Sequence, residues 1–172
     1  DGTLVSFETH AIPASTIEAL TIAHEKGIKI FIATGRPKAI INNLADIQDR
    51  GLIDGYITMN GAYCFVGDEV IYKSAIPAGE VRALAQVCEQ KGYPCIFVGE
   101  HTISVCQPNK LVHDIFYDFL HVDEIPVKTF EEAVQEEIFQ MTPFVTVEEE
   151  TEIQPQHPNC ESGRCFPAVA AI

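Results

Sequence analysis

The stretch "IKIFIATGRP" (residues 28–37) is a nearly continuous apolar run that ends in threonine, glycine, arginine and proline. A short apolar run bounded by turn-forming residues is typical of a strand that is buried on both faces of a parallel sheet. Thr34 then stands at the carboxyl end of that strand, where α/β proteins place their ligands. The Thr34 hydroxyl, the Gly35 amide and a helix that starts at Pro37 together predict an anion-binding turn.

The segments on either side of this strand add two predicted helices and another strand. An S-x-x-E capping box at Ser15 predicts a helix over residues 15–26 that ends at Gly27. A second helix is predicted after Pro37, with three apolar residues at helical spacing on its inner face: Ile40, Leu44 and Ile47. Residues 54–62 predict another short buried strand. Helices that alternate with buried strands indicate right-handed βαβ units and therefore an α/β sheet.

The pattern changes after this second strand to hairpins mixed with helices, which is typical of an α+β unit. Two alternating runs on either side of Gly67 and Asp68 predict a hairpin with a two-residue turn. After Pro77 the sequence predicts a helix that ends at Gly92. The later elements are a hairpin, an apolar helix, a strand, an acidic turn or short helix, and a closing strand, over residues 94–98 with 102–107, 109–120, 137–145, 146–155 and 163–172.

The composition excludes several classes of protein. The chain of 172 residues has 25 acidic and 11 basic residues, for a net charge of −14. This charge argues against a nucleic-acid-binding protein, because phosphate backbones require clustered Lys and Arg. No apolar run approaches the roughly 20 residues of a membrane span. The six cysteines show no C-x-x-C spacing and most lie in apolar runs, which favours buried free thiols and a cytoplasmic protein.

Two further motifs accompany the anion-binding turn. The first four residues, "DGTL", form a predicted Asp-Gly-Thr turn, and "NGA" (residues 60–62) follows the second predicted strand. Each motif taken alone fits an ordinary turn. The pairing of "DGTL" with the turn after the first strand, separated by a helix of suitable length, argues against a chance pairing of ordinary turns.

With these motifs in this order, the chain resembles the haloacid dehalogenase (HAD) superfamily, and within it the Cof-type sugar-phosphate phosphatases with a large cap of the C2B class. The first motif of that family, D-x-D-G-T-[LV], ends in the residues found here at 1–4. Its second motif places a Thr or Ser where Thr34 stands, and the Cof-type "NGA" stands at 60–62. The resemblance therefore implies a Rossmann-like α/β core.

The resemblance also implies roles for individual residues and the presence of Mg²⁺. Asp1 would be the general acid/base, with its backbone carbonyl in the magnesium shell. The nucleophilic aspartate would precede it by two residues, and a lysine and a late acidic motif would follow the cap, so the chain is expected to be an incomplete piece. Thr34 and Gly35 would hold phosphoryl oxygens. Arg36 would contact the substrate or structure its loop, and Asn60 would orient groups near the site.

In domain terms, the resemblance implies a partial HAD core over residues 1–75, an inserted α+β C2B cap over 76–167, and a return toward the core over 168–172. Caps of this class lower their closing segment over the active site. Arg164 and Phe166 in that segment are therefore expected to choose the substrate, with an ordinary cap strand as the alternative.

The expected function is Mg²⁺-dependent hydrolysis of small phosphorylated metabolites, hexose phosphates foremost, through an aspartyl-phosphate. The present chain by itself is expected to be inactive, since it lacks the nucleophile. A phosphomutase of the same cap class and a non-catalytic protein that binds phosphorylated metabolites are the alternatives. A small phosphorylated substrate is the expected partner, and neither nucleic acid, nor a membrane, nor an obligate protein partner is expected.

Overall fold

The structure is a computed structural model that describes most of the chain: residues 2–6, 8–156, 163–166 and 169–171, with only the backbone in the last two stretches. It divides into two compact units, Asp1–Lys73 and Ser74–Ile172. Each unit has a buried apolar core of its own.

A mixed sheet organises the first unit, with strands in the order β1-β2-β3-β4. The strands are β1 (Phe31–Ala33), β2 (Gly55–Thr58), β3 (Tyr63–Val66) and β4 (Glu69–Lys73). β1 and β2 are parallel, and the other two pairs are antiparallel. The predicted α/β class and the hairpin around the Gly67 turn are therefore confirmed.

The first helix, α1 (Ala14–Glu25), ends where the sequence predicts but begins differently. Gly27 has φ +82°, and the N–H groups of Gly27 and Ile28 donate to carbonyls of the last turn, as in a Schellman motif. The predicted capping box is wrong. Pro13 occupies the N-cap position without a side-chain hydrogen bond, so Ser15 lies inside the helix.

The single helix predicted after Pro37 is also wrong. The segment forms a 3₁₀ turn at Lys38–Ile40 and a short helix, α2 (Ala45–Gln48). Arg36 donates from Nη1 to the Ile40 carbonyl (3.2 Å) and to the Asn42 side chain (3.3 Å), and asparagine favours such local bonds over helix. The apolar residues predicted on the inner face are nevertheless buried: Ile40, Leu44 and Ile47.

β1 is buried on one face only. Ile32 is 9% exposed, whereas its neighbour Phe31 on the opposite face is 50% exposed. The prediction that β1 is buried on both faces is therefore wrong for the part of the chain that the structure describes. The Phe31 ring lies across Gly55, where an added Cβ would be 2.5 Å from a ring carbon. Only glycine fits opposite this ring.

The second unit contains an antiparallel sheet with the order β6-β5-β7. Its strands are β5 (Cys95–Gly99), β6 (Ile103–Cys106) and β7 (Ile138–Pro143). The long helix α3 (Ala78–Lys91) packs against this sheet and ends at Gly92, which has φ +73°. The predicted helix, hairpin and strand are confirmed. Together α3 and the sheet supply much of the core, including Val81, Leu84, Cys88, Phe97, Ile138 and Met141.

The second unit also contains three shorter helices among its described residues. The predicted apolar helix is present as α4 (Lys110–Val112), which continues as a π-helix at His113–Phe119. α5 (Phe130–Ala133) was not predicted, whereas α6 (Val147–Ile153) confirms the short-helix alternative. Both α5 and α6 begin with a threonine–glutamate capping box.

The closing segment forms two strands rather than the one predicted. These are β8 (Gly163–Phe166) and β9 (Val169–Ala171), which pair antiparallel. Pro167 stands between them in the sequence. Proline has no backbone N–H to donate to a strand ladder, so this sequence does not favour one continuous strand over residues 163–172.

The sequence predicts buried free cysteines and no membrane-spanning segment, and the structure bears on both predictions. Cys88, Cys95 and Cys106 are free and buried, and Cys64 is free and partly buried. Burial raises the pKa of Cys95 well above its ordinary value and that of Cys106 to about 12, so these thiols are protonated and inert. A membrane-crossing helix needs about 20 apolar residues, and no helix in the described part of the chain meets that requirement.

Hydrogen bonds of Asp54 link the residues that immediately precede β1 and β2. Its carboxylate accepts from Lys29 Nζ and from the Ile30 N–H, both at 2.8 Å, and its own N–H donates to the Ile30 carbonyl at 2.8 Å. The hydrogen bond from Lys29, followed by that from Ile30, holds the pKa of Asp54 below its usual value.

We expect the Asp54→Asn variant to lower the free energy of unfolding of the first unit at pH 7. A carboxylate whose folded pKa is depressed stabilises above its unfolded pKa, and this stabilisation is lost as the pH falls through the folded pKa. The difference from wild type should therefore shrink below about pH 4. Urea titrations of both proteins, followed by the amide NMR signals of β1 and β2, measure this difference in the free energy of unfolding. Asp49→Asn, at an exposed position, is the matched control, and an equal loss at pH 3 and pH 7 would contradict the expectation.

Candidate functional site

The turn after β1 has hydrogen-bond donors available to a ligand. The Thr34 N–H donates to the Ile57 carbonyl at 2.9 Å, which extends the β1–β2 pairing by one residue. Thr34 Oγ1 accepts from the Arg36 N–H at 3.1 Å, so the hydroxyl hydrogen remains able to donate. Within the described residues, the N–H of Gly35 has no hydrogen-bond partner.

The loop between β2 and β3 is a tight turn with three consecutive positive φ angles. Asn60 and Gly61 have φ of +54° and +100°, and the Ala62 N–H donates to the Met59 carbonyl at 3.1 Å. This is the pattern of a type I′ turn, which Asn-Gly strongly favours. Met59 also has a φ of +51°, although it is bulky and only 3% exposed. For such a residue a left-handed backbone is a genuine outlier.

The two turns lie against each other. The Asn60 N–H donates to the Thr34 carbonyl at 3.3 Å. The Asn60 side chain covers Gly35, since a Cβ added there would be 2.9 Å from Asn60 Oδ1. Asn60 is exposed, and its side-chain amide has no hydrogen-bond partner in the described part of the chain. A hydroxyl, a backbone N–H and an amide group therefore lie on adjoining turns.

A cavity of about 340 Å³ adjoins the turn after β1. Its lining is mostly apolar, with four polar residues: Thr3, Thr34, Arg36 and Asn43. Thr3 belongs to the "DGTL" motif, in which Gly2 has φ +77° and its N–H donates to the Val5 carbonyl at 2.7 Å. The structure thus brings residues of the first two motifs to one cavity.

The Arg36 side chain donates hydrogen bonds within its own loop, to Ile40 and Asn42, as described above. Burial lowers the pKa of Arg36 below its ordinary value. These hydrogen bonds are compatible with loop structuring, one of the two roles open to Arg36 from the sequence, and that role stays a prediction. Contact with a substrate stays a prediction.

For three of the expected site residues the structure does not describe the side chain. Asp1 lies outside the described residues, as do the side chains of Arg164 and Phe166. Their roles stay predictions. Conversely, sequence analysis missed Met59, because an apolar residue in a left-handed conformation has no signature in the sequence.

The described residues contain one group with the geometry for a metal ion, and it lies in the second unit: His113, Asp114 and Asp118. Their side chains are already engaged on the helix surface. His113 Nδ1 is 3.4 Å from Asp118 Oδ2, and Lys110 Nζ is 2.5 Å from Asp114 Oδ2. No such group of three ligands occurs among the described residues of the first unit.

Comparison with known families now identifies the class. Residues 1–162 match the family model described as haloacid dehalogenase-like hydrolase. The chain therefore belongs to the haloacid dehalogenase-like hydrolase family, and the Cof-type resemblance seen in the motifs is confirmed.

Two solved structures and one curated protein show how similar the relatives are. The HAD subclass IIB sugar phosphatase BT4131 is 72% identical with a TM-score of 0.94, and the match covers 99% of this chain and 66% of that one. A second structure, from work on a trigonal-bipyramidal intermediate in a phosphoryl-transfer superfamily, is 71% identical with a TM-score of 0.95 and the same coverage. "Putative phosphatase YkrA" of Bacillus subtilis (strain 168) is 28% identical over 155 residues, 87% of this chain and 56% of the relative. The chain thus spans less than two thirds of the length of these relatives.

We expect Gly35→Ala to displace the Asn60 side chain with little effect on folding. The new Cβ would lie 2.9 Å from Asn60 Oδ1, the far end of a flexible side chain that can swing away. The side-chain amide signals of Asn60 in ¹⁵N NMR spectra should shift, while the free energy of unfolding should change by less than about 1 kcal/mol.

Gly79→Ala is the matched control, because a Cβ at Gly79 on α3 meets nothing within 4 Å. It should leave the Asn60 signals in place and stabilise the helix by about 0.5–1 kcal/mol. Unshifted Asn60 signals in the Gly35 variant would show that the two turns are not in contact.

Proposed function

We propose that this chain is part of a Mg²⁺-dependent phosphatase that hydrolyses small phosphorylated metabolites, with hexose phosphates as the preferred class. The observation that carries the proposal is the contact between the turns at Thr34–Gly35 and Asn60–Gly61, together with the cavity that Thr34 and Thr3 both line. One of the similar structures is described as a sugar phosphatase, which supports sugar phosphates as the broader substrate class.

The donors on these turns suit a phosphoryl group. A phosphate monoester presents several acceptor oxygens, which backbone N–H groups and hydroxyls at the carboxyl end of parallel strands bind well. We assign the Thr34 hydroxyl and the Gly35 N–H to phosphoryl oxygens and the Asn60 amide to a third oxygen. Fixed donors of this kind stabilise charge that develops in the transition state without rearrangement.

The proposed reaction has two steps. In the first, the aspartate two residues before Asp1 attacks phosphorus, the bond from phosphorus to the leaving oxygen breaks, and Asp1 gives its proton to that oxygen. In the second, water attacks phosphorus, Asp1 takes a proton from it, and the carboxylate nucleophile departs. Thr34 and Gly35 hold the phosphoryl oxygens throughout.

Magnesium would neutralise the non-bridging oxygens during this transfer. Mg²⁺ binds through one or two carboxylates and several waters, and among the described residues of the first unit no three potential ligand side chains lie together. We propose that the backbone carbonyl of Asp1 is one of its protein ligands.

Two variants of the longer protein, which includes the residues upstream of Asp1, separate chemistry from binding. Asp1→Asn should lower kcat by about 10²–10⁴-fold with little change in KM, because an amide cannot protonate the leaving oxygen. Thr34→Val should weaken ground state and transition state together and so raise KM. Steady-state kinetics with p-nitrophenyl phosphate and glucose 6-phosphate measure both.

The 172-residue chain alone is the control, since it should release no phosphate above the buffer blank. Phosphate release by that chain, or a near-parental kcat in Asp1→Asn, would rule out the assigned mechanism.

We further expect Arg164 and Phe166 to affect substrate choice. The donors at Thr34 and Gly35 contact only the phosphoryl group, which all candidate substrates share, so discrimination requires other residues. Arg164→Ala and Phe166→Ala should each change kcat/KM unevenly over a panel of hexose, pentose and triose phosphates, by about 10–200-fold for the most affected substrate. An equal fractional loss of kcat/KM on all substrates would show that both residues have only a structural role.

A further inference from the structure

Met59 has a backbone conformation that its own turn does not require. The type I′ turn needs positive φ only at its two central residues, which here are Asn60 and Gly61. Met59 precedes them, yet its φ is +51°. A bulky residue keeps such a conformation only where its surroundings fix it, and such outliers cluster at functional sites.

The burial of its side chain and two hydrogen bonds of its neighbours fix the conformation of Met59. The Met59 side chain is buried at 3% exposure. Thr58, which is fully buried, donates from Oγ1 to the Tyr63 carbonyl at 2.8 Å and so closes the base of the loop. On the far side, the Asn60 N–H donates to the Thr34 carbonyl at 3.3 Å.

The dihedral angle at Met59 sets the direction in which the turn leaves β2. With an extended Met59 the Asn-Gly turn could still form, but a rotation of more than 100° in φ would redirect it as a whole. The Asn60 amide would then no longer cover Gly35. The left-handed Met59 is therefore what brings an ordinary turn against the turn at Thr34.

We propose that Met59 is a positioning residue: its buried side chain and left-handed backbone hold the Asn60 amide over Gly35, where that amide meets the phosphoryl group. The role of the amide toward substrate rests on the proposed function. The dependence of the Asn60 position on Met59 does not.

A double-mutant cycle in the longer protein tests this role. Met59→Gly removes the anchoring side chain and frees the backbone, whereas Met59→Leu keeps a buried apolar group of similar volume. Asn60→Gly keeps the left-handed backbone and removes only the amide. Met59→Gly should lower kcat/KM about 10-fold, within the range for a misplaced binding group. Met59→Leu should retain most of the activity.

Because Met59 acts through Asn60, Met59→Gly should cause no further loss when Asn60 is already glycine. Ile47→Ala is the matched control, since Ile47 is a fully buried residue in the core of the same unit. It should lower the free energy of unfolding but leave kcat/KM of the folded enzyme unchanged. An unchanged kcat/KM in Met59→Gly, or losses that multiply in the double variant, would overturn the proposal.

A second measurement separates this inference from the proposed function. In ¹⁵N NMR spectra of the 172-residue chain without ligand, Met59→Gly should shift the Gly35 amide and the Asn60 side-chain amide, while Ile47→Ala should not. If these shifts occur but the longer protein hydrolyses no phosphate ester, the proposed function fails and the positioning role stands. If the signals do not move while the enzyme is active, the positioning role alone fails.

Discussion

The parallel pairing of β1 with β2 is the constraint on which the candidate site depends. Ala33 lies opposite Ile57, and the ladder then continues through the Thr34 N–H to the Ile57 carbonyl. Because parallel strands end at the same edge of a sheet, the turns that follow them emerge side by side, and Asn60 reaches the Thr34 carbonyl. A register slip of one residue would reverse the face of every side chain in the strand and separate the two turns.

The cost of the left-handed Met59 is of the same size as the gain from its burial. A residue in a sparsely populated backbone region costs on the order of 1–3 kcal/mol. Full burial of a methionine side chain contributes about 1.5–3 kcal/mol, and Met59 is 3% exposed. The Asn-Gly pair that follows adopts its own positive φ angles at little cost. The loop can therefore keep its direction without a net loss of stability, provided that Met59 stays buried.

Local chemistry explains which parts of this structure could be predicted. Gly27 and Gly92 end helices because only glycine adopts positive φ at no cost, and the sequence shows such positions directly. The prediction of one helix after Pro37 was wrong because the hydrogen bonds from Arg36 to the Ile40 carbonyl and to the Asn42 side chain compete with helix formation. These hydrogen bonds form only in the folded loop, so the sequence pattern does not show them. Thr34 stands out in the sequence because a hydroxyl residue followed by glycine ends an apolar run. The conformation of Met59 has no local cause, so no sequence pattern reveals it.

The net charge of the chain bears on how the proposed site would bind a phosphate ester. The chain carries a net charge of −14, and a phosphate ester is itself an anion, so the long-range field of this chain opposes its approach. Apart from the proposed Mg²⁺, attraction in the proposed site would then come from groups within hydrogen-bond distance, whose contribution depends on position rather than on net charge. Arg36 adds a cation beside the turn, but its guanidinium is engaged with Ile40 and Asn42. In the proposed site, the fixed geometry of Thr34, Gly35 and Asn60 would therefore supply the affinity that the described residues of the first unit contribute, and a site that depends on geometry requires the two turns to be held against each other.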